Sequence, residues 1–414
     1  MNQANDQQFE ERKRRLGDVI AVRKPDRIPI SPKMGTYYCR AYGVSVYEVM
    51  KDIRNVEPAI VQFINDFQPD YVRLPVLYPI DPLELLESAF IKWPGPTCQI
   101  PLNASFQVLD GTYLFEDEFD DFIFDPTHFI LTRILPRKNK ALKGFEKLYF
   151  RNPIEQSFLI DLATLAQPDV KDSLLAAIRA GELALRWLQG LNQISATVVD
   201  LGFPLGPTMS QSCPFDMFAD NFRGLVTTVM DIKERPDKLE AVLDVMTRIC
   251  LERTIRGAKA RNVEFILIPL HAGSDEFMSR SDYERFYWKG LKTMMTAIIR
   301  EGMTPFVFCE GKYNTRLDII SDVPKGKVVY LFESVDMIRA KKTVGQVACL
   351  CGNLAAATLV GGTREQTVDE CKWLIDNCAE GGGFIMDCSV VLDNAKRENP
   401  EAMFETTLTY GSYS

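Results

Sequence analysis

The sequence predicts an α/β fold: a (β/α)8 barrel of the TIM type with an N-terminal helical and β-rich extension or lid. Three observations predict it. First, strand-type apolar runs alternate with amphipathic helical stretches from about residue 155 onward, the pattern of parallel βα units. Second, the last five runs each lead into a residue able to bind a metal or move a proton. FILIPL leads to His271, PFVF to Cys309 and Glu310, VVYLF to Glu333, ACL to Cys351, and GFIM to Asp387 and Cys388. A β/α barrel delivers the C-terminal end of every strand to one mouth, so such residues converge there. Third, no GxGxxG opens a helix, which argues against an open doubly wound sheet.

Taken in order, residues 1–25 read as a charged helix with apolar positions at Phe9, Leu16, Val19 and Ile20, ended by Pro25 and Pro29. RIPISP and DYVRLP are strand candidates. A helix starts between them near Ser45, where Glu48 three residues on completes a capping box. Residues 80–155 break the rhythm with short alternating pieces, Trp93-Pro94-Gly95 and the acidic EDEFDDFIFD. They read as a small β-rich insertion or a lid. SLLAAIRAGELALRWLQGL is an amphipathic helix by its spacing, and SATVVDLG a strand. A helix opened by Pro236-Asp237 precedes FILIPL. A second, capped by Ser281 and closed by Gly302, precedes PFVF. No Gly/Ser linker divides the chain and no internal repeat appears, so residues 1–414 are expected to form a single barrel domain.

A chain of 414 residues, 46% hydrophobic, is long enough for one large core. Its net charge of -8 disfavours nucleic acid and anionic membrane as partners. The basic cluster Arg12–Arg15 sits among Glu10, Glu11 and Asp18 and reads as a solvated helix face. The polar start MNQANDQQFEER has no signal-peptide core, so a cytoplasmic location with reduced cysteines is expected. Of ten cysteines none forms a CxxC, and Cys349 and Cys351 share one face of a regular strand.

Chemistry is sparse elsewhere. Of two histidines, His128 in DPTHF reads as a surface or turn residue, whereas His271 stands at a strand end before a glycine turn. No GxSxG elbow and no phosphate loop is present. Neighbours on a strand face opposite ways, so only one of Cys309 and Glu310 enters the barrel. Glu310 is expected inward, because a carboxylate against the helix layer would be costly to bury. For Asp387 and Cys388 either face is open. Glu333 is a ligand, an acid/base or a supporting partner. Imidazole, carboxylate and thiolate in one ring suit zinc, and the residues alone leave open which three bind.

KPDRIPI near the start, WPG at 93–95, the GNL after Cys351, GGT at 361–363, GGGFI at 381–385 and the closing REN…AMFETTLTYGSY resemble the uroporphyrinogen decarboxylase superfamily. They do so in the right order over nearly the whole chain. The resemblance implies a distorted barrel that serves either decarboxylation or zinc-dependent methyl transfer with corrinoid proteins. The arginine-rich loop of the true decarboxylases is replaced here by SPKMGTYYCRAYG, with Lys33, Arg40, Tyr37, Tyr38 and Cys39. The His-x-Cys-Gly of the thiol-methylating branch is also missing: Glu310, or Cys309 in a shifted alignment, stands at its cysteine, and Phe308 or Val307 at its histidine. His271–Asp275 and Glu310–Leu317 are similar to the HxGxD and EGxYxxRL stretches of O-demethylating members.

The resemblance therefore implies the substrate-demethylating component of a corrinoid system. A methyl group passes from a methyl ether, on an aromatic ring, to the cobalamin-type corrinoid of a partner protein. Zinc, with His271, Glu310 and a cysteine, Cys351 or Cys388, as the candidate ligands, polarises the ether oxygen. Glu310, Glu333 and Asp275 are the expected acid/base groups, and Tyr37, Tyr38, Trp93 and Phe277 the aromatic wall. Asp275 and Arg316 either hold a phenol or carboxylate or pair with each other at the rim. The alternatives are a methylcorrinoid:tetrahydrofolate (or thiol) methyltransferase and a decarboxylase of the same fold. Homodimers are common in the superfamily.

Overall fold

A computed structural model describes residues 3–150 and 154–413. The described residues form eight strands. β1 (Ile91–Lys92) and β2 (Gln107–Val108) make a small antiparallel hairpin. β3 (Met209–Ser210), β4 (Phe265–Leu270), β5 (Thr304–Lys312), β6 (Val329–Ser334), β7 (Cys349–Cys351) and β8 (Phe384–Ile385) form one parallel sheet in sequential order.

The sheet closes into a barrel through two segments that pair by single bridges rather than ladders. Met386 N–H donates to the Pro29 carbonyl at 2.9 Å, and Asp70 N–H to that of Ile30 at 2.9 Å. Val72 N–H then donates to the Pro204 carbonyl at 2.9 Å, just before β3. Residues 28–31 and 70–72 are thus the first two staves, where RIPISP and DYVRLP were expected to be strands. Three prolines, at 25, 29 and 32, keep the first stave from forming a longer ladder.

The strands sort their side chains by alternation. Phe306, Phe308, Val329, Leu331, Cys349, Cys351 and Ile385 fill the lumen together with Tyr71. Val307, Cys309, Tyr330, Phe332 and Leu350 face the helix layer. The N-terminal helix Gln3–Ile20 plugs the lumen from below: Leu16, Val19 and Ile20 belong to the inner cluster. That plug explains why Arg12 and Arg15 are buried, where a solvated face was expected. Arg12 stacks on Phe203 at 3.7 Å, and Arg15 pairs with the fully buried Asp70 at 2.7 Å.

Two further expectations are corrected. SATVVD is not a strand but the last part of a helix that runs Pro168–Asp200. Gly190, Ile194 and Val198 bury one face at i, i+4, i+8, so tertiary packing overrides the strand preference of β-branched residues. The described part of the 80–155 stretch is not β-rich. Apart from the two-residue strands of its hairpin it is short helices, among them Ile80–Leu85, Phe119–Phe124 and Leu135–Lys138. Its backbone ties to the loop after β3: Tyr113 and Leu114 N–H both donate to the Phe222 carbonyl at 2.7 Å. Among the described residues no helix is long and apolar enough to cross a membrane.

Candidate functional site at the barrel mouth

The register of β4 on β5 decides which residues meet. Leu270 stands opposite Cys309, so the next residues, His271 and Glu310, emerge side by side at the C-terminal end. His271 Nε2 lies 3.8 Å from Glu310 Oε1, and the two side chains are 39% and 37% exposed, open to the mouth. The other face of the ring is held from the β3 side. His271 Nδ1 pairs with Asp220 Oδ2 at 2.6 Å. Asp220 sits on a π-helical turn, Ala219–Arg223, a wide turn often found at functional sites.

Asp216, one helical turn earlier and fully buried, anchors the loop that carries the histidine. It accepts from His271 N–H at 2.9 Å, Ala272 N–H at 3.0 Å and the Tyr287 hydroxyl. Glu333 completes this half by accepting from Gly311 N–H at 2.6 Å.

The carboxylates around the imidazole act on two groups, Glu310 and His271. Burial pushes the Glu310 carboxyl up, and the charges of Asp216, Glu333 and Asp220 add to that push against His271. The result is about 7. For His271, burial opposes the charged ring, but the Asp220 hydrogen bond and the neighbouring carboxylates outweigh it and raise it to about 9. At neutral pH the pair is therefore an imidazolium beside a carboxyl group that is close to half protonated.

The opposite half of the mouth is cationic. Asp387, 0% exposed, accepts from Lys33 Nζ at 2.8 Å and Arg73 Nη1 at 3.1 Å. The backbone N–H groups of Lys33 and Cys388 donate to its other oxygen, each at 2.8 Å. Cys351 Sγ donates to it at 3.3 Å. Burial works against this carboxylate, but Lys33 and Arg73 hold it below the ordinary value. Burial and the charge of Asp387 push the Cys351 thiol well up.

The expected site residues separate into three groups. Glu310 enters the lumen and Cys309 packs outside, as alternation with a buried-charge argument predicts. Glu310, His271 and Glu333 come together. Cys351 faces the lumen but belongs to the cationic half. Cys388 lies behind the strand, in the outer core, with its thiol pushed up to about 12 by burial and then by Asp387. The four candidate zinc ligands therefore do not form one set. Among the described residues no group of three or more histidine, cysteine, aspartate or glutamate side chains is arranged to hold a metal.

The rest lie off the reacting centre. Tyr37, Tyr38 and Trp93 are packed in the outer core, with Tyr38 edge-on to Phe63 at 5.1 Å, so they do not wall the mouth. Asp275 accepts from Thr315 N–H and hydroxyl at 3.2 and 2.7 Å. Arg316, 1% exposed, stands 3.6 Å from Asp275 and over the Tyr283 ring, so the two pair with each other and lock the β4 and β5 loops. Phe277 is exposed on the β4 loop.

Sequence reasoning passed over Asp216, Asp220 and Arg73. Arg73 lies within DYVRLP, directly after the bridging residue Val72, and was open to the strand-end rule. The two aspartates follow a strand of only two residues, which periodicity does not detect. A cavity of about 1080 Å³ lies elsewhere, among Leu16, Trp187, Leu205 and Phe265 near the strand starts. A large cavity is the default place to look for a site, but this one contains none of the titratable groups above.

A parallel barrel with a ring of acids, bases and cations at the C-terminal ends of its strands has the architecture of a barrel enzyme. Residues 206–410 match the model of the uroporphyrinogen decarboxylase (URO-D) family. The match spans all six strands β3–β8 and the GNL, GGT and GGGFI stretches. No curated protein matches the sequence. Among solved structures, the chain is similar to a methyltransferase from Methanosarcina mazei, at 16% identity and a TM-score of 0.65. The likeness covers 96% of this chain and 98% of that one. At that identity it is a likeness of fold.

Proposed function

We propose that this protein is a methyltransferase of the URO-D fold. It takes the methyl group of an aryl methyl ether and gives it to the cobalt of a corrinoid carried by a partner protein. One observation carries the reading: a carboxyl group poised near neutrality, Glu310, beside an imidazolium fixed by Asp220, at the open end of the barrel. The likeness in fold to a methyltransferase supports it.

An ether is inert because its oxygen leaves poorly. As the cobalt(I) nucleophile of the partner forms its bond to the methyl carbon, the carbon–oxygen bond breaks and the electron pair stays on oxygen. Glu310 supplies the proton, so the phenol leaves neutral. His271, held charged by Asp220, stabilises the oxygen while charge develops there. Glu310 ends as a carboxylate and recovers its proton from water. Zinc has no part in these steps, since the expected ligands are divided among three places.

The test mixes protein, a methoxylated aromatic and cob(I)alamin, and follows the cobalt spectrum. Methylcobalamin should form, and Glu310→Gln should slow it by about 100-fold or more. The rate should fall as pH rises through about 7, where Glu310 loses its proton. A Glu310→Gln protein as active as wild type would refute the proton-donor role.

A further inference from the structure

The cationic half of the mouth has more donors than its one carboxylate can serve. Asp387 already accepts from Lys33 N–H, Lys33 Nζ, Arg73 Nη1, Cys388 N–H and Cys351 Sγ. A carboxylate offers about four lone-pair sites, so Asp387 is saturated. Among the described residues it is the only carboxylate within ion-pair distance of Lys33 or Arg73.

The group therefore carries two cations against one anion. Tyr71 and Cys351, the other polar neighbours, are kept neutral by burial. Lys33 is 5% and Arg73 11% exposed. Arg73 Nε is buried with no hydrogen-bond partner. A surplus charge and an unserved donor in a nearly dry site both call for an anion.

Placement says where that anion belongs. Lys33 Nζ stands 5.0 Å from the Phe308 ring centre. Glu310 follows Phe308 on the same face of β5, and residues two apart on a strand are about 7 Å apart. Phe308 thus stands between the cations and the Glu310–His271 pair.

We propose that Arg73 and Lys33 bind a carboxylate of the substrate, so that the protein acts on methoxylated aromatic acids rather than neutral methoxyarenes. The ring then lies over Phe308 and its methoxy oxygen meets Glu310. This rests on the reading that the ether oxygen is placed at Glu310, but its test needs no turnover. Planar, bidentate recognition of a carboxylate is what a guanidinium does best.

The experiment is calorimetry of the whole protein with 4-methoxybenzoate and with its neutral partner, 4-methoxybenzamide. Wild type should bind the acid at least about tenfold more tightly. Arg73→Gln should erase the preference, and Arg73→Lys should keep part of it. Because Arg73 pairs with a buried carboxylate, melting curves accompany each variant, and the wild-type comparison stands even where Arg73→Gln does not fold. Equal binding of the two probes, no binding of either, or a preference that survives both Arg73→Gln and Lys33→Met would overturn the proposal. A clear acid preference without methyl transfer to cob(I)alamin would uphold this subsite and count only against the methyltransferase reading.

Discussion

Asp387 shows how much depends on single side chains at this mouth. It is fully buried and serves two cations, so its removal leaves both without a partner in a low-dielectric place. Breaking a buried pair costs about 3–5 kcal/mol. Asp387→Asn should lose about that much in urea unfolding at pH 7. The sign with pH follows from its lowered proton affinity: its contribution is present above the ordinary aspartate range and is lost as pH falls through the folded value. Wild type and mutant should therefore converge in acid, and a constant gap down to low pH would refute the assignment. Glu310 works the other way. Its raised affinity means the site is held against the preference of a free carboxylate, a cost typical of functional positions.

At the scale of elements, the irregularity at the end of β5, between Cys309 and Lys312, decides whether Glu310 and Glu333 can face each other. Gly311 adopts a φ of +79°, and a Cβ there would stand 2.9 Å from Ser274 Cβ. Its N–H also holds Glu333. Gly311→Ala should destabilise by about 1–2 kcal/mol from the left-handed backbone alone, and should weaken turnover beyond what the stability loss explains. Denaturant curves beside initial rates check both. The sequence placed β4 to β8 correctly because each is a clear apolar run. It missed β3, since two residues carry no period, and it mistook the end of the helix Pro168–Asp200 for a strand. In that helix Ile194 and Val198 are buried at helical spacing, which only the packed neighbours reveal.

At the scale of the molecule, the lumen is closed below by the helix Gln3–Ile20 and along its sides by single-bridge staves. Leu16, Val19 and Ile20 cover Phe306, Val329 and Leu331, none more than 7% exposed. Deleting residues 1–20 would uncover that floor and release Arg12 and Arg15 from Phe203 and Asp70. The truncated chain should expose apolar surface, read as strong binding of a hydrophobic dye and loss of a cooperative melt. A truncated protein that melts cooperatively at the wild-type temperature would show that the plug is dispensable. The 80–150 segment, by contrast, ties into the π-helical turn that carries Asp220, so it braces one wall of the mouth.

The sequence by itself determined the barrel, the mouth, the inward side of Glu310 and the strand-end places of Glu333 and His271. Alternation along a strand and the convergence of strand ends are local rules that need no neighbour. Only the tertiary structure decided which of those residues act together. The register of β4 on β5 joined His271 to Glu310. The loop after β3 brought Asp220 to the imidazole. Closure between residues 28–31 and β8 gave Asp387 to Lys33 and Arg73. Partnership across a mouth depends on register between neighbouring strands and on closure between segments more than 300 residues apart, and no local pattern encodes either.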